Sequence, residues 1–475
     1  MDLVGRQRER EVLVEALLSP NAELIAVYGR RRVGKTFLVR AALDVCFELV
    51  GTRDGTSQSQ LRAFTESLAR LVASPLTLAP PQDWQQGFEQ LRAALAPRLR
   101  RRKTKQVVFF DELPWLASRR SGFLTAFEHF WNAWGVTQPN LVVVICGSSA
   151  SWMLEKVVRQ RGGLHNRVTR RLRIEQFSLA ETELLLRSQR VELGRYQTIE
   201  LYMALGGIPA YLAQVRPHES AAQAIDRLCF ARDGFLAMEF DQLYAALFDK
   251  AERHEAIIRA LASHPNGLNR GELLAASKLA TGGATTKVLD ELEESGFILQ
   301  LKRLGRTKRD TVYWLADHYS LFYLRWVERH RSRDTEVWLR KQGTPAWRAW
   351  TGLAFEAVCL QHVGAIKRAL GISGIESHDG SWALRDAEFG GAQIDLVIDR
   401  ADRSANLCEM KFSESEFVID KKYARELEHK RAAFRTAFPR KAAFLTLVTT
   451  YGVRANEHAQ RLGIKSLMMD ALFVE

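Results

Sequence analysis

Between residue 23 and about residue 177, short apolar runs alternate with stretches in which apolar positions recur every three or four residues. Runs of that length suit buried strands and the stretches suit amphipathic helices, so the alternation predicts an α/β layer, a parallel sheet with helices on its faces. The spacing places strands at 24–28, 46–50, 107–110, 141–146 and 172–174, with helices at 34–43, 57–72, 84–99 and 123–134.

The pattern changes at Ser178. Ser178, Leu179, Ala180 and Glu181 have the spacing in which a hydroxyl and a carboxylate cap a helix start reciprocally, and from there to 248 the periodicity is helical only, as in a helical lid. Helices at 252–261, 270–278 and 284–295 then precede strands at 297–303 and 311–315 around a basic turn at 304–310, the order of a winged helix-turn-helix. An aromatic-rich helical connector, 319–350, leads to a last α/β unit. That unit has a helix at 352–370, strands at 392–399, 405–412 and 442–449, and a long helix at 420–438 before the third strand. The expected division is 1–177, 178–248, 249–317, 318–350 and 351–475.

A chain of 475 residues exceeds what one hydrophobic core serves, in keeping with several domains. Its formal charge of +13 and pI near 9.6 favour a polyanionic partner. Cys46, Cys146, Cys229, Cys359 and Cys408 are widely spaced and mostly set in apolar runs, which fits small core residues in a reducing compartment better than disulfides or a zinc site. The first residues, MDLVGRQRERE, lack the apolar core of a signal peptide, and no run has the length of a membrane span. The expected setting is cytoplasmic, away from membranes.

Gly29, Arg30, Arg31, Arg32, Val33, Gly34, Lys35 and Thr36 match the phosphate-binding loop pattern between a predicted strand and a predicted helix. Backbone amides of such a loop curl around a β-phosphate at a helix N-terminus, Lys35 reaches the β- and γ-phosphates, and the Thr36 hydroxyl meets Mg²⁺. The run Val107, Val108, Phe109, Phe110 ends in Asp111 and Glu112, the first acid placed to support Mg²⁺ and the second to orient the attacking water. Ser148, after the strand at 141–146, falls near the γ-phosphate if that strand lies between the other two. Arg167, just before the fifth strand, is a candidate arginine finger. ATP and Mg²⁺ are the expected cofactors.

These residues resemble the archaeal-type, AAA+-like ATPases, relatives of the origin-recognition and STAND ATPases. The likeness covers LVGRQRERE at the start, GRRRVGKT, VVFFDELPWL, VVVICGSSASWM and the stretch Gly206, Gly207, Ile208, Pro209, Ala210, Tyr211. It implies that the opening segment packs near the adenine, that Gly206, Gly207, Pro209 and Tyr211 belong to a lid motif facing the nucleotide, and that the ATPase domain forms homo-oligomers. No sensor-2 arginine stands inside the lid stretch.

The predicted wing carries Lys302, Arg303, Arg306, Lys308 and Arg309, suited to a phosphate backbone. The proposed recognition helix offers Thr285, Thr286 and Lys287 at its N-terminal end, whereas Asp290, Glu291, Glu293 and Glu294 make the rest acidic. Wing-led contact with DNA is the expectation.

Glu409 and Lys411 share one face of the strand at 407–412, and a hairpin symmetric about Asp402 sets Asp395 opposite Glu409. Paired carboxylates repel, and Mg²⁺ with Lys411 beside it justifies them. A second acid–x–Lys triplet, Glu428, His429, Lys430, reads as solvated helix surface. The arrangement resembles the PD-(D/E)XK nuclease fold, a restriction-endonuclease-like domain in which an upstream helical acid, here matched by Glu356, completes the site. Together these readings describe a DNA-associated ATPase whose nucleotide state controls a metal-dependent nuclease. The rival is a STAND-like switch or DNA-binding scaffold whose nuclease fold is silent.

Overall fold

The apolar runs of the N-terminal part pair as a parallel five-stranded sheet in a computed structural model, which describes all residues but 1–2, 74–77, 119, 159–163, 165, 249, 306–310, 331–335, 385–390 and 475. Strands β1 (Glu23–Tyr28), β2 (Val45–Val50), β3 (Gln106–Asp111), β4 (Leu141–Gly147) and β5 (Arg170–Arg173) stand in the order β2-β3-β4-β1-β5. Every residue of β1, β3 and β4 is buried, as central strands covered on both faces require. β4 does lie between β1 and β3. β5 begins two residues earlier than its apolar pair Leu172 and Ile174 suggests. It is an edge strand in which Leu172 alone is buried, so only one of its four positions carries a hydrophobic signal.

Thr56 and Asp83 cap the helices Ser57–Val72 and Trp84–Arg101 by accepting from the amides of Ser59 and Gln86. These helices and Phe123–Ala133 cover the sheet with an aromatic core in which Trp84 and Phe123 meet edge-on at 4.7 Å and Phe88 and Phe123 at 5.4 Å. The same cluster reaches β3, where Phe110 meets Phe123 at 5.7 Å and Phe127 at 5.6 Å.

The chain divides into two compact units, Met1–Glu175 and Gln176–Glu475. The second opens with the expected reciprocal cap: the Ser178 hydroxyl accepts from the Glu181 amide (3.1 Å), and the Glu181 carboxylate accepts from the Ser178 amide (3.0 Å). Helices Leu179–Ser188, Arg195–Leu205, Ala221–Cys229 and Glu239–Leu247 follow. Next come Ala251–Ala262, the two-residue strand β6 (Leu268–Asn269), Arg270–Ser277, Gly283–Glu294 and the antiparallel pair β7 (Ile298–Arg303) and β8 (Thr311–Leu315). β6, too short to leave a periodic signal, pairs with β8.

The expected helix at 352–370 begins earlier, at Pro345 behind the Thr344 cap. It breaks at His362, giving Pro345–Gln361 and Val363–Ala369. Beyond it run β9 (Ser377–Leu384), β10 (Ala392–Arg400), β11 (Ser404–Lys411), helix Lys421–Ala437, β12 (Ala442–Thr449) and β13 (Lys465–Leu467). β9 and β13 escaped the periodicity. β9 mixes Ser, His, Asp and Gly with few apolar residues, and β13 has three residues only.

All eight of these strands belong to one sheet, in the order β13-β12-β11-β10-β9-β7-β8-β6. β10 and β11 form an antiparallel hairpin and β11 and β12 pair in parallel. β7 joins β9 in parallel through Lys302 with Gly380 and Arg303 with Ser381. That seam welds the hairpin of the three-helix segment to the C-terminal strands. A Cβ on Gly380 would lie 2.3 Å from the Lys302 carbonyl oxygen, so glycine permits the approach.

Candidate functional site

β1 ends with Tyr28 beside Gly147 of β4, so the loop that follows emerges between the ends of the two central parallel strands. Gly29 passes against the chain after β5, where a Cβ would stand 2.2 Å from the Ile174 carbonyl oxygen. Gly34 then caps the helix Lys35–Ala42. Lys35 is buried, and its ammonium donates to the carbonyls of Gly29 (2.9 Å) and Arg30 (2.8 Å) and to the Ser148 hydroxyl (3.0 Å). Burial holds its pKa below the usual lysine range, opposed by the charges of Glu112 and Asp111.

The Thr36 hydroxyl donates to Asp111 Oδ2 at 2.6 Å, while Asp111 Oδ1 accepts the Glu112 amide at 2.9 Å. Glu112 takes a left-handed conformation, φ 50°, at the end of β3. Strain of this kind in a non-glycine residue gathers at functional sites. Its carboxylate accepts from the Ser148 hydroxyl and, at 3.1 Å, from the Ser148 amide. Lys35, Thr36, Asp111, Glu112 and Ser148 thus come together as one network. Arg31 and Arg32 line the loop half-buried and Arg30 is buried. Arg167 is exposed in the turn ahead of β5, and no hydrogen bond or ion pair joins it to the loop among the described residues.

Arg6 escaped the sequence reading. It is buried, donates to the Val33 carbonyl at 3.1 Å and to the Glu175 carbonyl, and meets Glu9 one turn along its helix at 3.4 Å. The opening segment thereby clamps the phosphate-binding loop. The only hint in the sequence is the Arg6–Glu9 spacing inside an otherwise charged segment.

In the second unit, Gly206 ends the helix Arg195–Leu205, Gly207 accepts from the Phe177 amide at 2.6 Å, and Pro209 opens the short helix Pro209–Leu212. Tyr211 is fully buried and donates to Glu239 at 2.9 Å. Of the expected nucleic-acid contacts, Lys287 is exposed within reach of Glu291, and the Thr286 hydroxyl accepts from Arg270 at 2.7 Å. Thr285 is buried, its hydroxyl on the Ala280 carbonyl. Lys302 is exposed and Arg303 half-buried at the end of β7. Arg306, Lys308 and Arg309 lie outside the described residues.

The β10–β11 register pairs Leu396 with Cys408 and Val397 with Leu407, and one further step sets Asp395 opposite Glu409. Glu409 is buried, whereas Asp395 and Glu356 are half-buried. Burial together with the charges of Asp395 and Glu409 pushes the Glu356 carboxyl well above its usual range, and burial with Glu409 does the same to Asp395. Glu356, Asp395, Glu409 and Lys411 are therefore mutual electrostatic neighbours. Neither Glu356 nor Asp395 makes a side-chain hydrogen bond or ion pair among the described residues.

Lys411 does not pair with Glu409; its ammonium lies 5.3 Å from the centre of the Tyr423 ring. Lys430 takes the carboxylate instead, at 2.8 Å from Glu409 Oε1, and the Tyr423 hydroxyl donates to Oε2 at 3.3 Å. This corrects the expectation that the triplet Glu428, His429, Lys430 is solvated surface. Lys430 lies on the buried stripe of its helix, three residues after Leu427 and four before Phe434, and that periodicity was the available signal.

Residues 3–215 match an ATPase domain family found predominantly in Archaea. An uncharacterized protein of Methanocaldococcus jannaschii is 23% identical over 431 residues, covering 90% of this chain and 91% of its own length. Among solved structures, a Walker-type ATPase of Pyrococcus abyssi aligns with 19% identity and TM-score 0.47 over 68% of this chain and 96% of its own. The ORC2 protein of Aeropyrum pernix, in ADPNP–ADP complexes, aligns with 16% identity and TM-score 0.43 over 72% and 96%. The stretch that matches this ATPase domain family, residues 3–215, holds the phosphate-binding loop, the acidic strand end and the Ser148 network.

Proposed function

We propose that this protein is a DNA-associated ATPase in which nucleotide turnover controls a metal-dependent nuclease site in the second unit. In the ATPase, Lys35 neutralises the β- and γ-phosphates, and Thr36 and Asp111 hold Mg²⁺. Glu112 orients the attacking water, with Ser148 fixing where its carboxylate points. Arg167 stays a candidate finger that acts on a neighbouring copy, because it is exposed.

The observation that carries the nuclease reading is the convergence of Glu356, Asp395, Glu409 and Lys411 from a helix and two adjacent strands, with both flanking acids raised in pKa. Among the described residues no three His, Cys, Asp or Glu side chains could hold an ion by themselves. A divalent ion here would rest on Asp395 and Glu409 and fill its shell with water and phosphate oxygen. That donor set, hard oxygens from two carboxylates, fits Mg²⁺. Bound there, the ion would supply Lewis-acid activation of water and phosphate. Lys411 would stabilise charge developing on the phosphate, and Glu356 would hold or accept a proton beside it.

DNA association is supported by the net charge of +13 and by Lys302 and Arg303 on a hairpin that shares its sheet with the acid cluster. A switch with a silent cluster is the competing reading, favoured by the Lys430 ammonium already on Glu409. Plasmid DNA incubated with the full chain, Mg²⁺ and ATP decides between them. Cleavage lost in both Asp395→Asn and Glu409→Gln supports the nuclease, and salt-sensitive binding without cleavage supports the switch. Cleavage that persists in the double variant removes this site from consideration.

A further inference from the structure

Glu409 is nearly inaccessible, with its side chain 3% exposed, and an ionised carboxylate at such depth needs a cation. Lys411, the lysine next to it on the same strand face, is turned onto the Tyr423 ring. The cation comes from the opposite layer. Lys430, on the helix Lys421–Ala437, holds Glu409 Oε1 at 2.8 Å and Glu426 Oε1 at 3.1 Å.

Those two carboxylates differ in a way that matters. Glu409 is buried, whereas the Glu426 side chain is 51% exposed one turn earlier on the helix of Lys430 itself. The ammonium therefore has two seats, one inside the acid cluster and one at its rim, and can pass between them by rotating its side chain without crossing solvent unpaired. We propose that Lys430 is a displaceable counter-ion: it occupies Glu409 until a divalent cation takes that carboxylate, then withdraws to Glu426 at the mouth of the cluster. The inference rests on the metal-dependent reading of the cluster and adds a positioning residue that sets how much divalent ion is needed to load it. Displacement by a doubly charged ion is favourable because the ion also meets Asp395, which Lys430 does not contact through any hydrogen bond or ion pair among the described residues.

The test is Mn²⁺ binding to the full chain without added nucleotide, followed calorimetrically and by electron spin resonance, with Glu409→Gln defining which ions belong to the cluster. Lys430→Met and Lys430→Gln remove the competitor, so both are expected to bind Mn²⁺ at least about tenfold more tightly. In both, thermal stability should be lower in chelator and recovered by Mn²⁺. Glu426→Gln removes the outer seat on an exposed position and should weaken Mn²⁺ binding several-fold, an effect that a purely structural lysine would not produce. If wild type binds Mn²⁺ at Glu409 and neither Lys430 variant binds it more tightly, the counter-ion role is wrong and the nuclease reading survives. If Glu409→Gln removes no bound Mn²⁺, the metal reading of the cluster falls and this inference with it.

Discussion

Ser148 joins the two halves of the ATPase site: its hydroxyl receives from Lys35 and donates to Glu112, and its amide reaches the same carboxylate. Ser148→Ala should therefore lower kcat by roughly one to two orders of magnitude with KM for ATP little changed, because Glu112 loses its orientation while the phosphate grip survives. Lys35→Ala should abolish turnover, and Glu112→Gln should leave nucleotide binding intact while turnover falls by about a hundredfold or more. Steady-state ATPase rates alongside nucleotide titrations check all three.

Two buried histidines lend the second unit a pH dependence of known sign. Burial drives His318 and His362 down to about 4, so both stay neutral in the fold. The unfolded chain takes up these protons below about 6.5. Their contribution is thus full above that pH and is lost as pH falls toward 4. Between pH 7 and pH 5 the melting temperature of wild type should fall relative to that of the His318→Gln, His362→Gln variant, the raised acids Glu356 and Asp395 contributing with the opposite sign in both. That Lys35, Thr36, Asp111, Glu112 and Ser148 would come together was legible from local motifs in the sequence. The partners of Arg6 and Lys430 were not, because they lie 27 and 21 residues away; the buried stripe of the helix could place Lys430 on the inner face but not name the carboxylate it meets.

At the scale of elements, hydrophobic periodicity located the central strands because they are buried on both faces. It missed β9 and β13, whose residues are polar or too few, and no pattern in one strand announces its neighbour. The β7–β9 seam is therefore knowledge that only the fold supplies, and Gly380 is where it can be tested. Gly380→Val would push a side chain into the Lys302 carbonyl. We expect a loss of about 2 kcal/mol or more. Amides of β9, and that of Leu304 just after β7, which donates to the Ser381 carbonyl at 3.0 Å, should lose exchange protection, while ATP turnover stays unchanged. Protection unchanged at β9 would show that the seam is not a stabilising contact.

For the molecule as a whole, charge governs the predicted partner. A net +13 supports DNA binding whose affinity falls steeply with salt, with a log–log slope of about −3 or steeper if several phosphates are neutralised. Lys302→Glu should shallow that slope by about one, and an unchanged slope would place the contact elsewhere. Among the described residues no helix is long and apolar enough to cross a membrane. The shared sheet also decides how the chain can be divided in the laboratory. A fragment starting at residue 351 would strip β7 from β9 and leave an open row of backbone donors and acceptors, an invitation to stick to its own copies. A piece containing the acid cluster has to begin upstream of the helix Ala251–Ala262, so that β7, which borders β9 in the shared sheet, travels with it.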